Sequence, residues 1–314
     1  MKILVVMALL ERQQEKMREC LRGHEVRFAK APTDEEVAGT DVIVGNLAPA
    51  RLKGAAALKL MQLNSAGSND YLPLIASRPD VVLTCATGCY GKALSEHMLA
   101  MALMLIKNLN LYRDDEKTAE WRDLGPVRSL TDMKVLCLGM GDAGSRFARL
   151  ANALGAKVSG VRRKATEDKP DYVEKVYGTD ELDRILPEFD MVAMSMPETD
   201  ATRGIMNRDR LMKMKEGSYI LNVGRGSAID QEALLECVKS GRIAGAGLDV
   251  TTPEPLPKDS PLWQEPRIVV TPHISGQFHL EHTRDAIVDL AIRNIKALEN
   301  GEAFTSRVDL ARGY

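Results

Sequence analysis

Several ordinary features are scarce in this sequence, and each scarcity removes a class of protein. Cysteines number only five (Cys20, Cys85, Cys89, Cys137 and Cys237), an odd count, scattered and without CxxC spacing. Neither a disulfide framework nor a zinc or other metal site is indicated, and a reducing cytoplasm fits best. Net charge is nearly absent at −2, although 27% of residues are charged. No long-range field draws polyanions or anionic lipid, which argues against nucleic acid as a main partner. The longest apolar run, MLAMALMLI, is under half of the roughly 20 residues that span a bilayer. The opening MKILVVMALL has the lysine and apolar run of a signal peptide, but charged ERQQEK follows at once without a small-x-small cleavage site. It reads as a buried strand running into a helix, and the expectation is a soluble protein with no membrane partner. No repeat, low-complexity tract or flexible linker stands out.

What is present is alternation. The chain has 314 residues, too many for one ordinary core, and this points to two domains. Short runs rich in Val, Ile and Leu alternate with longer amphipathic segments, the pattern of parallel sheets covered by helices on both faces. The first hundred residues offer KILVV, EVRF, DVIVG, LMQLN and VVLTC as strands; a second series runs KVLCLG, KVSGV, DMVAMSM, SYILNV, AGAGLDV and RIVVTP. Between the series, ALSEHMLAMALMLIKNLNLYRDDEKTAEW reads as one long connecting helix. A last helix is expected over His282 to Leu298, where the chain crosses back into the first unit. Residues 1–99 with 282–314 form one expected domain and 100–281 the other.

The first chemical motif is Gly139-x-Gly141-x-x-Gly144, straight after KVLCLG and opening the helix SRFARLANAL. The glycines provide a tight turn, backbone approach to a pyrophosphate, and close helix-to-strand packing, with the helix N-terminus facing the anion. GxGxxG alone is a weak signal; the strand before it and the helix after it supply the context of a dinucleotide cradle. At the end of the next strand a cofactor without a 2′-phosphate usually meets an acid. Here the chain reads Val161-Arg162-Arg163-Lys164, which favours NADP while leaving NAD open.

Three further stretches follow strands: LNVGRGSAIDQEAL around Arg225, GLDVTTPEPLP around Glu254 and VTPHISG around His273. Each residue alone has an ordinary explanation as a solvated charge, turn chemistry or a structural histidine. All three, however, fall at the carboxyl edge of one sheet, where open α/β folds bind ligands. Arginine can fork onto a carboxylate, and histidine can move a proton near neutral pH with a glutamate holding its ring. The set suits a 2-oxo or 2-hydroxy acid. His24, His97, His279 and His282 are assigned no role, and Tyr90, Trp121, Met140 and Phe278 are candidate walls of a side-chain pocket.

In order and spacing, these motifs resemble the D-isomer-specific 2-hydroxyacid dehydrogenases, and the likeness spans essentially the whole chain. They are Gly139-x-Gly141-x-x-Gly144, Asn222-x-x-Arg225-Gly226, Gly247-Leu248-Asp249-Val250 with Glu254-Pro255, and Thr271-Pro272-His273-x-x-Gly276. The resemblance implies two doubly wound parallel-sheet domains, a Rossmann cofactor domain inserted into a flavodoxin-like substrate domain. It implies that Arg225 binds substrate, that His273 is the acid/base and that Glu254 pairs with it. Asp142 and Ala143 are implied to lie over the pyrophosphate, and Asp249, Val223 and Gly224 to orient the nicotinamide amide. Pro197, Thr202 and Gly276 join the implied cofactor site. Ala66, Gly67 and Ser68 resemble the loop whose amides receive the substrate carboxylate from the other domain, with domain closure around the substrate. A homodimer is implied as well, since the family is usually dimeric and the segment Leu94 to Leu109 has apolar surface to spare. Two other readings share these motifs: phosphite-type dehydrogenases and dinucleotide-binding corepressors. The lack of long disordered tails favours a metabolic enzyme over a corepressor, and no extra regulatory domain of the kind in many phosphoglycerate dehydrogenases is expected; the resemblance is to the glyoxylate/hydroxypyruvate reductase-like members, with the particular acid left open.

Overall fold

A computed structural model describes residues 1–165 and 168–310, which divide into two compact units: 1–90 with 278–310, and 91–277. The last four residues of the expected 282–314 segment lie outside the described residues.

The first unit opens with β1 (Lys2–Val5), α1 (Glu11–Cys20), β2 (Glu25–Phe28), α2 (Asp34–Ala38), β3 (Val42–Val44), β4 (Leu60–Gln62), α3 (Leu72–Ala76) and β5 (Val82–Thr84). All five strands are parallel in the order β2-β1-β3-β4-β5, the flavodoxin-like winding. β3 and β4 are buried throughout, as expected of strands covered on both faces, which therefore read as unbroken apolar runs.

The second unit begins with α4 (Gly91–Ile106) and α5 (Leu109–Thr118), followed by β6 (Lys134–Leu138), α6 (Asp142–Ala153), β7 (Lys157–Arg162) and β8 (Val176–Gly178). It continues with α7 (Leu182–Ile185), β9 (Met191–Met194), α8 (Arg208–Lys213), β10 (Ser218–Asn222), α9 (Gln231–Lys239), β11 (Ile243–Leu248) and β12 (Ile268–Val270). Its seven parallel strands run β8-β7-β6-β9-β10-β11-β12, the Rossmann order with one strand added, and the direction of winding reverses between β6 and β9. The chain then returns to the first unit in α10 (Glu281–Asn300), which ends at Gly301 in the left-handed conformation, φ +69°.

Three expectations are corrected. The long connecting helix is two helices: Asn108 takes a left-handed φ of +56° between α4 and α5, and Ala119 does the same after α5. Asparagine tolerates that conformation because its short amide can bond locally. The crossing between units lies at Tyr90/Gly91, not after residue 99, because α4 buries Met98, Met101, Ala102, Leu105 and Ile106 in the core of the second unit. The return lies at Gln277/Phe278, a few residues before 282. β8 was not anticipated; three residues carry too little pattern to read.

α10 supplies much of the first unit's core, with Ile287, Val288, Leu290, Ala291, Ile292 and Ile295 packed among Ile3, Val5, Val42 and Leu60. Its one buried amide is fully used. Asn294 donates to Gln62 Oε1 (2.7 Å) and to the Thr305 carbonyl (3.0 Å) and accepts the Thr305 N–H (2.9 Å), while Thr84 donates to the same Gln62 oxygen (2.8 Å). Buried polar groups persist only when paired in this way.

Candidate active site

The site is built on strand ends of the second unit. β6 delivers Gly139 with φ +97°, a conformation suited to glycine. A Cβ on Gly144 would lie 1.9 Å from the Gly139 carbonyl oxygen, so the helix can approach the strand only because the side chain is missing. Gly141 has ordinary φ and nothing within 4 Å of where its Cβ would stand. It faces open space at the N-cap of α6, and no side chain caps that helix. These residues therefore fit a dinucleotide pyrophosphate: open approach, uncapped helix N–H groups and the positive end of the macrodipole.

Asp142, an acid in a place meant for an anion, is turned elsewhere. Its carboxylate accepts the N–H of Gly91 at the start of α4 (2.7 Å) and pairs with Arg146 (2.7 Å). Its backbone and that of half-buried Ala143 remain in the first turn of α6.

At the end of β7, Val161 is buried while Arg162, Arg163 and Lys164 are exposed. Arg162 and Lys164 have no side-chain bond among the described residues, whereas Arg163 is engaged within the chain. The loop after β9 is closed by Thr202, whose hydroxyl donates to the Pro197 carbonyl (2.7 Å) and accepts the Thr199 N–H (2.8 Å).

After β10, buried Asn222 holds the turn that carries Arg225: its amide donates to the Arg225 carbonyl (2.8 Å) and accepts the Gly224 N–H (3.0 Å). Val223 is buried, its N–H bonded to the Met194 carbonyl (3.0 Å). Arg225 is half-buried, and among the described residues its side chain donates to the neighbouring Gly224 carbonyl alone (2.7 Å). Gly226 lies so close to Thr251 that a Cβ would come within 2.1 Å of its carbonyl. The turn bearing Arg225 thus packs on the loop bearing Glu254. In that loop Glu254 uses both oxygens, one accepting the Thr251 N–H (3.0 Å) and the other 2.8 Å from His273 Nδ1. Both groups are partly exposed, so the pair is open to a ligand. With Nδ1 committed, Nε2 is the ring atom left for one.

The three side chains start from β10, β11 and β12, which are neighbours in the sheet, with strand spacing near 4.8 Å. The structure pairs His273 with Glu254 and packs the turn that bears Arg225 against the Glu254 loop. Asp249, by contrast, is fully buried and saturated by the loop 271–275, which leaves its carboxylate no free face; Gly276 is half-buried beside that loop. Of the proposed pocket walls, Met140 is instead a core residue filling the space beside Gly160. Trp121 is fully exposed.

The loop resembling a carboxylate receiver belongs to the first unit. Asn46 and Asn64 exchange backbone-to-amide bonds (2.6 and 3.0 Å), Asn46 also donates to the Ser65 hydroxyl (3.0 Å), and Ser65 donates to the Gly67 carbonyl (2.7 Å). Ala66 is exposed, Gly67 half-buried and Ser68 buried. Tyr90 donates to the Asn64 carbonyl and braces this loop; burial pushes its phenol well above the ordinary range, so the donor proton stays on. Asn46, His97 and Ser275 had no role in the sequence reading because their partners lie far off in the chain, and Tyr90, read there as a pocket wall, braces this loop.

Residues 99–275 match the family model for the NAD binding domain of D-isomer specific 2-hydroxyacid dehydrogenases. The chain is 33% identical over 232 residues, 74% of its length and 72% of the relative's, to an uncharacterized protein in the proB 3′ region of Corynebacterium melassecola. A D-isomer specific 2-hydroxyacid dehydrogenase family protein from Aeromonas salmonicida has a similar structure: TM-score 0.86, 27% identity, 98% of this chain and 99% of that one. The NADPH-dependent glyoxylate/hydroxypyruvate reductase of Sinorhizobium meliloti, solved with NADP and sulfate, gives 0.85 and 29% over 100% and 99%. The chain belongs to the D-isomer specific 2-hydroxyacid dehydrogenase family. It is an NAD(P)-dependent oxidoreductase acting on hydroxy or oxo acids. Among the described residues no helix is long and apolar enough to cross a membrane.

Proposed function

We propose that this chain reduces small 2-oxo acids to D-2-hydroxy acids, with NADPH preferred over NADH. The observation that carries the reading is the 2.8 Å pairing of His273 Nδ1 with Glu254, on a loop packed against the turn that bears Arg225, which leaves Nε2 open. A bound dihydronicotinamide supplies the hydride for the carbonyl carbon. The chain's own residues do the remainder. Arg225 grips the carboxylate and carbonyl of the substrate with forked, charge-assisted bonds and stabilises the developing alkoxide. His273 delivers a proton from Nε2 to the carbonyl oxygen, and Glu254 keeps the other ring proton at Nδ1 and the ring in place. The amides of Ala66, Gly67 and Ser68 receive the substrate carboxylate. Val223, Gly224 and Asp249 shape the nicotinamide end of the cofactor site, the last by organising the loop around it, and Pro197, Thr202 and Gly276 line it.

The NADP preference rests on Arg162, an exposed guanidinium without a partner among the described residues at the strand end where the adenosine ribose belongs. Similarity to an NADPH-dependent glyoxylate/hydroxypyruvate reductase supports both the cofactor and the size of the substrate. A reducing cytoplasm agrees with five scattered cysteines without CxxC spacing. The chain pairs as a homodimer. α4 covers most of its apolar surface within its own unit, so the support comes instead from Leu109, Trp121 and Val127, exposed along one segment; light scattering near the single-chain mass of 34.5 kDa would remove this element.

The test is a spectrophotometric screen of NADPH and NADH oxidation with glyoxylate, hydroxypyruvate, phenylpyruvate and branched 2-oxo acids. His273→Ala is expected to bind cofactor normally and to lose about 10²–10⁴ in turnover. Unimpaired turnover in that variant removes His273 from the mechanism, and partner capture without turnover in the wild type favours a corepressor instead.

A further inference from the structure

The acid/base loop hangs on a carboxylate that never meets solvent. Both oxygens of Asp249 are filled by that loop: the Thr271 hydroxyl (2.6 Å) and Ile274 N–H (2.9 Å) on one, the Ser275 N–H (3.1 Å) and Ser275 hydroxyl on the other. The Asp249 carbonyl accepts the His273 N–H (2.8 Å). The loop needs such holding, because His273 has a left-handed φ of +49°, a conformation a histidine keeps only when its surroundings enforce it.

The clamp has one more member. His97 Nε2 lies 3.0 Å from the Thr271 hydroxyl and 3.8 Å from Asp249 Oδ1. A carboxylate only accepts, so the Thr271 proton points to Asp249 and the hydroxyl lone pairs face His97. His97 therefore carries its proton on Nε2 and donates to Thr271. We infer that His97 is a positioning residue for the catalytic histidine, setting the loop of His273 through Thr271 and Asp249. The same helix, α4, is fastened at its first residue to Asp142 in the glycine loop. One rigid element thus takes its reference from the cofactor cradle and passes it to the proton donor. The inference rests on His273 being the acid/base.

The test pairs His97→Leu with His97→Gln, whose amide nitrogen can reach where Nε2 stood, and Thr271→Val with Thr271→Ser. His97→Leu and Thr271→Val should lower kcat by about tenfold, and by no more than about 10², the scale of a small misplacement. Their KM for NADPH should stay within about threefold of wild type, since ground-state cofactor binding is untouched. His97→Gln and Thr271→Ser should recover most of the loss. Independently of turnover, the Cε1–H NMR resonance of His273 should move in the first two variants and return in the second two. An unmoved His273 signal in His97→Leu, or a Gln variant as impaired as the Leu variant, overturns the inference. Full turnover in His273→Ala would instead sink the assignment of the acid/base, and the NMR comparison would still decide whether His97 sets the loop.

Discussion

Arg162→Asp reverses one exposed charge at the end of β7 and breaks no bond among the described residues. Its effect on folding should therefore stay within about 0.5 kcal/mol, as for other surface changes. Its effect on NADPH should be large. A guanidinium–phosphate hydrogen bond contributes about 1.5–3 kcal/mol, which is about ten- to hundredfold in affinity. The introduced carboxylate adds repulsion worth about 1 kcal/mol even at the dielectric of water, so the Kd for NADPH should rise by about 10²–10³ in total. NADH lacks the phosphate, and an acid at this strand end can accept its ribose hydroxyls, so its affinity should hold or improve. The assay is a fluorescence titration of each reduced cofactor, with kcat/KM measured for both. A higher kcat/KM with NADH in the wild type, or an unchanged NADPH-to-NADH ratio in the variant, would rule out the 2′-phosphate contact at Arg162. Arg163 is the poorer probe because it already has a partner within the chain.

Other outcomes follow from the same geometry. Arg225→Lys loses the fork and should raise the KM for the oxo acid by about tenfold with some loss of kcat; unchanged constants would mean the carboxylate is held elsewhere. Gly144→Ala drives a Cβ to 1.9 Å from the Gly139 carbonyl and should lower Tm and abolish cofactor binding together. Gly141→Ala meets no protein atom within 4 Å, so it should melt normally and lose cofactor affinity alone; a normal affinity would deny that the backbone approaches the pyrophosphate there. Asp190 is buried and accepts Arg128 (2.7 Å), Lys215 (2.6 Å) and the Lys134 N–H (2.8 Å). Burial pushes its carboxyl upward, but these bonds hold it below the ordinary 3.8. A depressed value stabilises the fold above the unfolded pKa and is lost as pH falls through the folded one. Asp190→Asn should cost about 1–3 kcal/mol at neutral pH, roughly 3–10 °C in Tm; the gap should narrow below about pH 4, and a constant gap would contradict the assignment.

Much of this was legible because the information is local. Runs such as VIV and MVAM are apolar on every residue because both faces of their sheets are covered, and motif residues after strands reach the carboxyl edge by topology alone. What escaped depends on contacts distant in sequence. His97 and Thr271 are separated by 174 residues, and no pattern in an apolar helix marks one histidine as a hydrogen-bond donor to a remote loop. The break at Asn108 was missed because its flanks, Leu105–Ile106 and Leu109–Leu111, keep a helical spacing across it. The resemblance put Asp142 over the pyrophosphate; only the Gly91 N–H and Arg146 show where its charge goes.

The insertion of one unit within the other sets an order of birth. The sheet β1–β5 leaves the ribosome before the inserted unit, yet α10, the buried amide of Asn294 and the Val308 N–H on the Leu83 carbonyl all come after it. About 190 residues must be made in between, on the order of 10–40 s at roughly 5–20 residues per second. Over that interval the half-made sheet exposes the apolar face of Ile3, Val5, Val42 and Leu60 that α10 later covers. The inserted unit has all its own strands and can close first. Of the two units, the one begun earlier is thus the later to mature, and it is the part a nascent-chain chaperone would have to shield.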